Sequence, residues 1–245
     1  LKVLPHFQQL RELLSIQQVS EDRISEGNRL FRKGLSHLGF HQHFPLERNE
    51  RSCQGSGRCC FICPTQAKQS TDVAVIPHFL KQGGELHAET EVKHILESKE
   101  GVTLLCRSKS GAQLRVNCKT LIMAAGALSS PMLIRRNRLG RAWRMAGNEL
   151  SIHPAVKVLS QFSEPVKGWQ GVPQALGFKH PDHPKLSFEG VFVEPQFLAA
   201  MSPLEGPRLD DWITHYDRLA AFGVMLRDSS RGRVRSYPIW KLFVS

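Results

Sequence analysis

The chain has 245 residues, 41% hydrophobic and 22% charged, which suits one large or two small domains with a sizeable core. A formal charge of +11 favours an anionic partner such as nucleic acid, acidic lipid, a nucleotide cofactor or an acidic redox protein. The basic residues are scattered or grouped without interleaved aromatics (Arg135, Arg136, Arg138, Arg141 and Arg144; Arg227, Arg231, Arg233 and Arg235), which argues for a solvated basic face and against nucleic acid, and no apolar run reaches the ~18 residues a transmembrane segment needs.

Leu4, Phe7, Leu10 and Leu14 recur at helical spacing and predict an amphipathic helix. A second is expected after Ser20, with Glu21 and Asp22 in its first turn, Ile24, Phe31, Leu35 and Leu38 facing inward, and Gly39 ending it. His37, His41 and His43 read as surface or core histidines. In RSCQGSGRCCFICPTQAKQST, from Arg51 to Thr71, Gly55 and Gly57 allow a tight loop, and Pro64 is expected to start a short helix carrying Ala67 and Lys68. From Thr71 to Leu80 the chain is apolar, with Pro77 as a break, and Gly83 and Gly84 form a turn.

From Glu85 the pattern becomes LHAETEVKHI, GVTLLCRS and AQLRVNCKTLIM, separated by Lys99-Glu100-Gly101 and Ser110-Gly111: a small antiparallel meander. Leu121 to Ala125 suits a strand buried on both faces, and Gly126 interrupts it where the backbone turns. Ser129 or Ser130 can cap a following helix, with Pro131 in its first turn. A strand, a small-residue turn and a helix start can hold an anionic cofactor, because free N–H groups and the helix dipole point at the turn. Prolines at 165, 173, 181, 184, 195, 203 and 207 predict loops or edge strands rather than central strands or long helices. Leu209, Trp212, Ile213, Tyr216 and Leu219 give a helical face, and FGVMLRDSSRGRVRSYPIW reads as a closing hairpin with Gly232 at its turn.

Six cysteines stand at 53, 59, 60, 63, 106 and 118. Cys53, Cys59 and Cys63 are spaced C-x5-C-x3-C in a glycine-containing loop, and soft thiolates there suit an iron–sulfur cluster or zinc. Three readings stay open: a cluster, reduced structural cysteines, or zinc with His41 or His43 as the fourth ligand. Cys106 and Cys118 fall in expected strands and read as small buried hydrophobes.

AAGALSSPMLIRRNRLG resembles the second signature of the glucose-methanol-choline (GMC) family of flavin-dependent oxidoreductases, through Gly126, Ala127, Ser130, Pro131, Leu133, Ile134, Leu139 and Gly140. Asn137-Arg138 stands where that family usually has Ser-Gly. HAETEVKHI resembles a strand of the same family, and GNELSIHP its Gly-x-x-Leu-x-x-His element through Gly147, Leu150 and His153. The resemblance implies the fold class: mixed α/β, the central part of a GMC-type flavoprotein, with an antiparallel meander joined to a buried strand-turn-helix and followed by the start of a substrate-domain sheet. It implies a helical segment over 1–50, part of an FAD-binding domain over 51–153, and part of a substrate-binding domain over 154–245.

By the same resemblance Val92 would meet adenine through its backbone, and Ala125 and Gly126 would approach FAD, with Asn148 and His153 as further cofactor candidates. The loop ICPTQA resembles that of cluster-bearing members, which makes Cys53, Cys59 and Cys63 candidate ligands of a three-iron, four-sulfur (3Fe-4S) cluster and Cys60 a bystander. Other members carry a related loop followed by Ala-Lys-x-Ser, here Ala67, Lys68 and Ser70, without a cluster. The implied activity is FAD-dependent oxidation of a CH–OH group of a small-molecule alcohol or sugar, with a redox protein as a possible acceptor. The chain starts at Leu1 and stops at Ser245 after an apolar run, so it is expected to be a piece of a longer protein. No Gly-x-Gly-x-x-Gly loop occurs, and no catalytic residue of that family matches a position here. The segment alone is therefore expected neither to hold FAD tightly nor to turn over. The rival readings are an iron–sulfur or zinc electron-transfer or scaffold module without flavin chemistry, and a basic nucleic-acid binder.

Overall fold

A computed structural model of the chain describes residues 3–192, 194–236 and 242–244. Helix α1 (Leu4–Leu13) has Pro5 in its first turn, where a missing N–H costs nothing. Its apolar periodicity is present, but Leu4, Phe7 and Leu10 are all exposed. Strand β1 (Ile16–Gln18) follows. The helix expected from Ser20 is only a single tight turn at Glu21–Arg23. Buried Ile24 is extended, so α2 (Glu26–His37) starts instead at Ser25, whose hydroxyl accepts from the Asn28 N–H. Phe31 and Leu35 face inward as expected, whereas Leu38, past the last turn, is 70% exposed.

Strands β2 (His43–Pro45) and β3 (Glu47–Asn49) come next, and β3 pairs antiparallel with β1. Pro64 opens a turn, not a helix. The reason is a backbone ladder: Arg51 N–H donates to Ala67 O at 2.8 Å and Gln69 N–H to Asn49 O at 2.9 Å, which holds 67–69 extended beside β3. A π-helical turn at Thr71–Val75 leads into α3 (Ile76–Lys81), and Pro77 sits in the first turn of α3, where it opens the helix rather than breaking it.

Strands β4 (Thr90–Glu97), β5 (Val102–Ser108) and β6 (Gln113–Cys118) form the expected meander in that order. Leu121 to Ala125 departs from expectation. Among the described residues it pairs with no strand, and Ile122 is 85% exposed, because no neighbouring backbone supplies a ladder for it. Helix α4 (Gly126–Asn137) begins at the glycine itself, ahead of the two serines, so Pro131 lies inside the helix.

Strands β7 (Ala155–Gln161), β8 (Leu176–Lys179) and β9 (Leu186–Val191), helices α5 (Pro195–Met201) and α6 (Pro207–Thr214), and strands β10 (Leu219–Leu226), β11 (Val234–Ser236) and β12 (Leu242–Val244) complete the chain. A five-stranded antiparallel sheet runs β2-β8-β9-β10-β7. The proline-rich region thus does supply interior strands. Its prolines flank β8 and β9 without entering them, and Pro195 and Pro207 open the two short helices. Among the described residues the closing hairpin is not formed. β10 pairs with β7 and β9, Gly232 bridges Leu150, and β11 pairs with β12, while residues 237–240 of that stretch lie outside the described ones.

The fold is mixed α/β with antiparallel sheets, as expected, and it divides into two compact units: Leu1–Gly84 with His153–Arg227, and Glu85–Ile152 with Asp228–Ser245. In the first unit α2 covers one face of the five-stranded sheet, where Phe31, Leu35, Leu176 and Phe178 are buried and Phe31 stacks on Phe222 at 5.9 Å. In the second unit the buried hydrophobics among the described residues are Ile95, Cys106 and Val234.

Candidate functional site

The cysteine loop belongs to the first unit. Gly57 has φ +71°, and a Cβ there would stand 2.2 Å from the Trp169 carbonyl oxygen, so only glycine fits this crossing. The Glu50 carboxylate accepts from the Cys53 N–H at 2.9 Å, and Lys68 Nζ donates to the Cys59 carbonyl at 2.8 Å. These bonds hold Cys53, Cys59, Cys60 and Cys63 around one cavity of about 270 Å³, which Arg48, Lys68 and Gln174 also line. All four thiols are free. Burial pushes the Cys59 thiol up, reinforced by Cys53, Cys63 and Cys60 and opposed by Lys68. Burial also pushes Cys63 up, but hydrogen bonds from the Lys68 backbone and from Thr65 outweigh it and leave this thiol below its ordinary value. Among the described residues no group of three or more His, Cys, Asp or Glu side chains is arranged to hold a metal ion. Cys53, Cys59 and Cys63 share a cavity, and the iron–sulfur reading gains no support from this geometry.

A second cavity, of about 170 Å³, adjoins the first across Cys60 and Gln174. Its floor is the sheet face opposite α2. Successive residues of a strand point to opposite faces, so with Phe222 turned to α2, Gly223 and Met225 of β10 turn away from it, together with Glu189 and Val191 of β9 and Ala155 and Lys157 of β7. Phe61 of the cysteine loop and Phe197 of α5 meet edge to face at 4.8 Å and form a wall, with Phe192 beside them. The Glu189 carboxylate accepts from Gln174 Nε2 at 2.9 Å. His153 is exposed and lines this cavity.

The remaining predicted cofactor residues lie in the second unit. Val92 opens a β-bulge in β4, where the pairing with β5 shifts between Val92 and His94. Ala125 is the residue before α4 and places no side-chain cap on it. Gly126 has φ +84° with nothing within 4 Å of where a Cβ would stand, so conformation rather than crowding demands glycine. The first turn of α4 therefore presents backbone N–H groups without a side-chain acceptor, the donor set an anionic pyrophosphate would need. Among the described residues the Asn148 side chain reaches Met145 Sδ, at 3.7 Å. A cavity of about 290 Å³ lies between β4, β5 and α4, lined by Ile95, Val102, Leu121, Met123 and Ile134 and by none of these four candidates.

Sequence reasoning did not find Phe61, Phe197, Gln174, Glu189 or Met225. They come from the cysteine loop, a loop, a helix and two strands that only the folded sheet brings together, and no local pattern marks them. Among the described residues no helix is long and apolar enough to cross a membrane.

The family model described as GMC oxidoreductase matches residues 1–155. An uncharacterised GMC-type oxidoreductase of Mycobacterium tuberculosis is 29% identical over 231 residues, 92% of this chain and 36% of that protein. One of Sinorhizobium fredii is 35% identical over 130 residues, 51% of this chain and 25% of that protein. A long-chain-alcohol oxidase of Arabidopsis thaliana is 27% identical over 244 residues, 89% of this chain and 32% of that protein. The chain thus spans about a third or less of the length of these relatives.

Proposed function

The chain belongs to the GMC oxidoreductase family, and from that premise we propose that it forms part of an FAD-dependent oxidoreductase acting on the CH–OH group of an alcohol or sugar. The observation that carries the reading is the family match across residues 1–155, which takes in the cysteine loop, the meander and the bare first turn of α4. When bound, FAD supplies the hydride acceptor. The chain's own contribution is to bind and orient. The N–H groups that open α4 at Gly126 would donate to the pyrophosphate, and the bulged backbone at Val92 would lie against the adenine, with Asn148 and His153 as further candidates. On this reading the second unit belongs to the flavin side and the five-stranded sheet of the first unit to the substrate side. The similarity to a protein named a long-chain-alcohol oxidase favours an alcohol over a sugar. No step is assigned to an iron–sulfur cluster, for which the cysteine cavity offers no support.

The test is expression of the complete reading frame. The expected product is a yellow protein whose visible flavin band bleaches when an alcohol is added under anaerobic conditions. A colourless protein, or a flavoprotein that no alcohol or sugar reduces, would overturn the reading. Gly126→Ala in that protein is expected to lower FAD retention by about tenfold, because a side chain at φ +84° forces the turn to relax away from the helix start.

A further inference from the structure

The two neighbouring cavities of the first unit differ in the side chains that line them. One carries thiols, the Arg48 guanidinium and the Lys68 ammonium; the other is walled by Phe61, Val191, Phe192, Phe197 and Met225. Its half-buried carboxylate, Glu189, is engaged by Gln174 and by the charge of Arg48. The remaining polar side chains, His153 and Lys157, are exposed, so water serves them and they mark the wet side of the cavity. A sugar ring seated among the phenyl groups would strip its hydroxyls of water without replacing those bonds. An alkyl chain there would gain about fourfold in affinity for each methylene buried. The volume of about 170 Å³ is comparable to that of an apolar cavity of ~150 Å³ that takes up benzene, which sets the length of chain it accommodates at about six carbons.

We infer that this cavity binds the apolar tail of a ligand through about six carbons, and that Phe61 and Phe197 are the residues that select an alkyl chain over a sugar. Phe61 is presented by the cysteine loop, which gives that loop a task requiring no metal: Gly57 and the Lys68–Cys59 bond hold a wall of the tail pocket in place. That the ligand is an alcohol rests on the oxidoreductase reading above. The preference for an apolar tail rests on the lining alone.

The test titrates the 245-residue chain with straight-chain primary alcohols from butan-1-ol to decan-1-ol and with glucose. The readouts are the Met225 methyl resonance and the rate at which iodoacetamide alkylates Cys60, which borders the cavity. Affinity is expected to rise about fourfold per added carbon until about six are buried and then to level off. Decan-1-ol should slow Cys60 alkylation, and glucose should move neither signal. Ala155 is exposed on β7 and turned to the cavity, so Ala155→Phe should abolish decan-1-ol binding while the amide spectrum stays folded. Phe61→Ala, at a loop position, should weaken it about tenfold. Equal affinity for butan-1-ol and decan-1-ol, tighter binding of glucose, or unchanged binding in a folded Ala155→Phe chain would overturn the inference. The two readings fail separately. A complete enzyme that oxidises alcohols while the chain shows no tail-length dependence removes the pocket and keeps the redox function; tail-length dependence with a complete protein that no alcohol reduces does the reverse.

Discussion

Asn28 is 1% exposed, yet each polar atom of its side chain is used. Nδ2 donates to Ser25 Oγ at 2.8 Å and to the Pro173 carbonyl at 2.9 Å, and Oδ1 accepts from the backbone of Ala175 at 3.3 Å and Leu176 at 3.0 Å. This one side chain ties the start of α2 to the strand entering the sheet. Asn28→Ala would strand two buried N–H groups and a carbonyl, and is expected to cost roughly 3–5 kcal/mol, read as a lowered urea midpoint. The cysteine loop offers a second residue-level check. Cys63 is shifted to lower pKa and Cys59 to higher, so as pH rises Cys63 becomes a thiolate first. Quantitative alkylation should therefore label Cys63 ahead of Cys59 throughout the approach to their titration, with the Cys63 midpoint below that of a free thiol; the reverse order would show that the loop's hydrogen bonds do not govern its reactivity.

Helix α4 shows how an element responds to one departure from its family's pattern. Its chain reverses at Arg138 with φ +53° and ψ +41°, the left-handed conformation that glycine takes at no steric cost. Asn137 compensates: its side chain donates to the Leu133 carbonyl at 2.9 Å and accepts from the Ile95 N–H at 3.0 Å, anchoring the helix end to β4. Arg138→Gly is expected to stabilise the second unit by about 0.5–1 kcal/mol, measured by thermal or urea unfolding. The elements legible in the sequence are those whose cause is local. The period of Phe31 and Leu35 gave away α2, and the Gly101 and Gly111 turns marked the meander. Elements that depend on a distant partner were not legible. Leu121 to Ala125 has a strand's composition but no ladder among the described residues, Ala67 and Lys68 were taken from a helix by β3, and β10 found partners in β7 and β9 instead of folding back at Gly232. The cysteines were visible as a group, while the apolar wall beside them was not, since its residues meet only through that sheet.

On the scale of the whole molecule the two units differ in how much they bury. The first has a continuous apolar core around Phe31, Leu176 and Phe178, whereas the buried hydrophobics described in the second are Ile95, Cys106 and Val234. Burial is the chief source of cooperative protection, so amides of β4, β5 and β6 should exchange with solvent faster than those of β8, β9 and β10, and heating should release the second unit first. Uniform protection across both sheets would contradict this. The second unit also carries the unladdered run at 121–125, with Ile122 turned to water. Such a run behaves as an adhesive tab: at high concentration two molecules will seek each other there, and purified material should sediment as growing assemblies whose formation a charged residue, Ile122→Lys, suppresses.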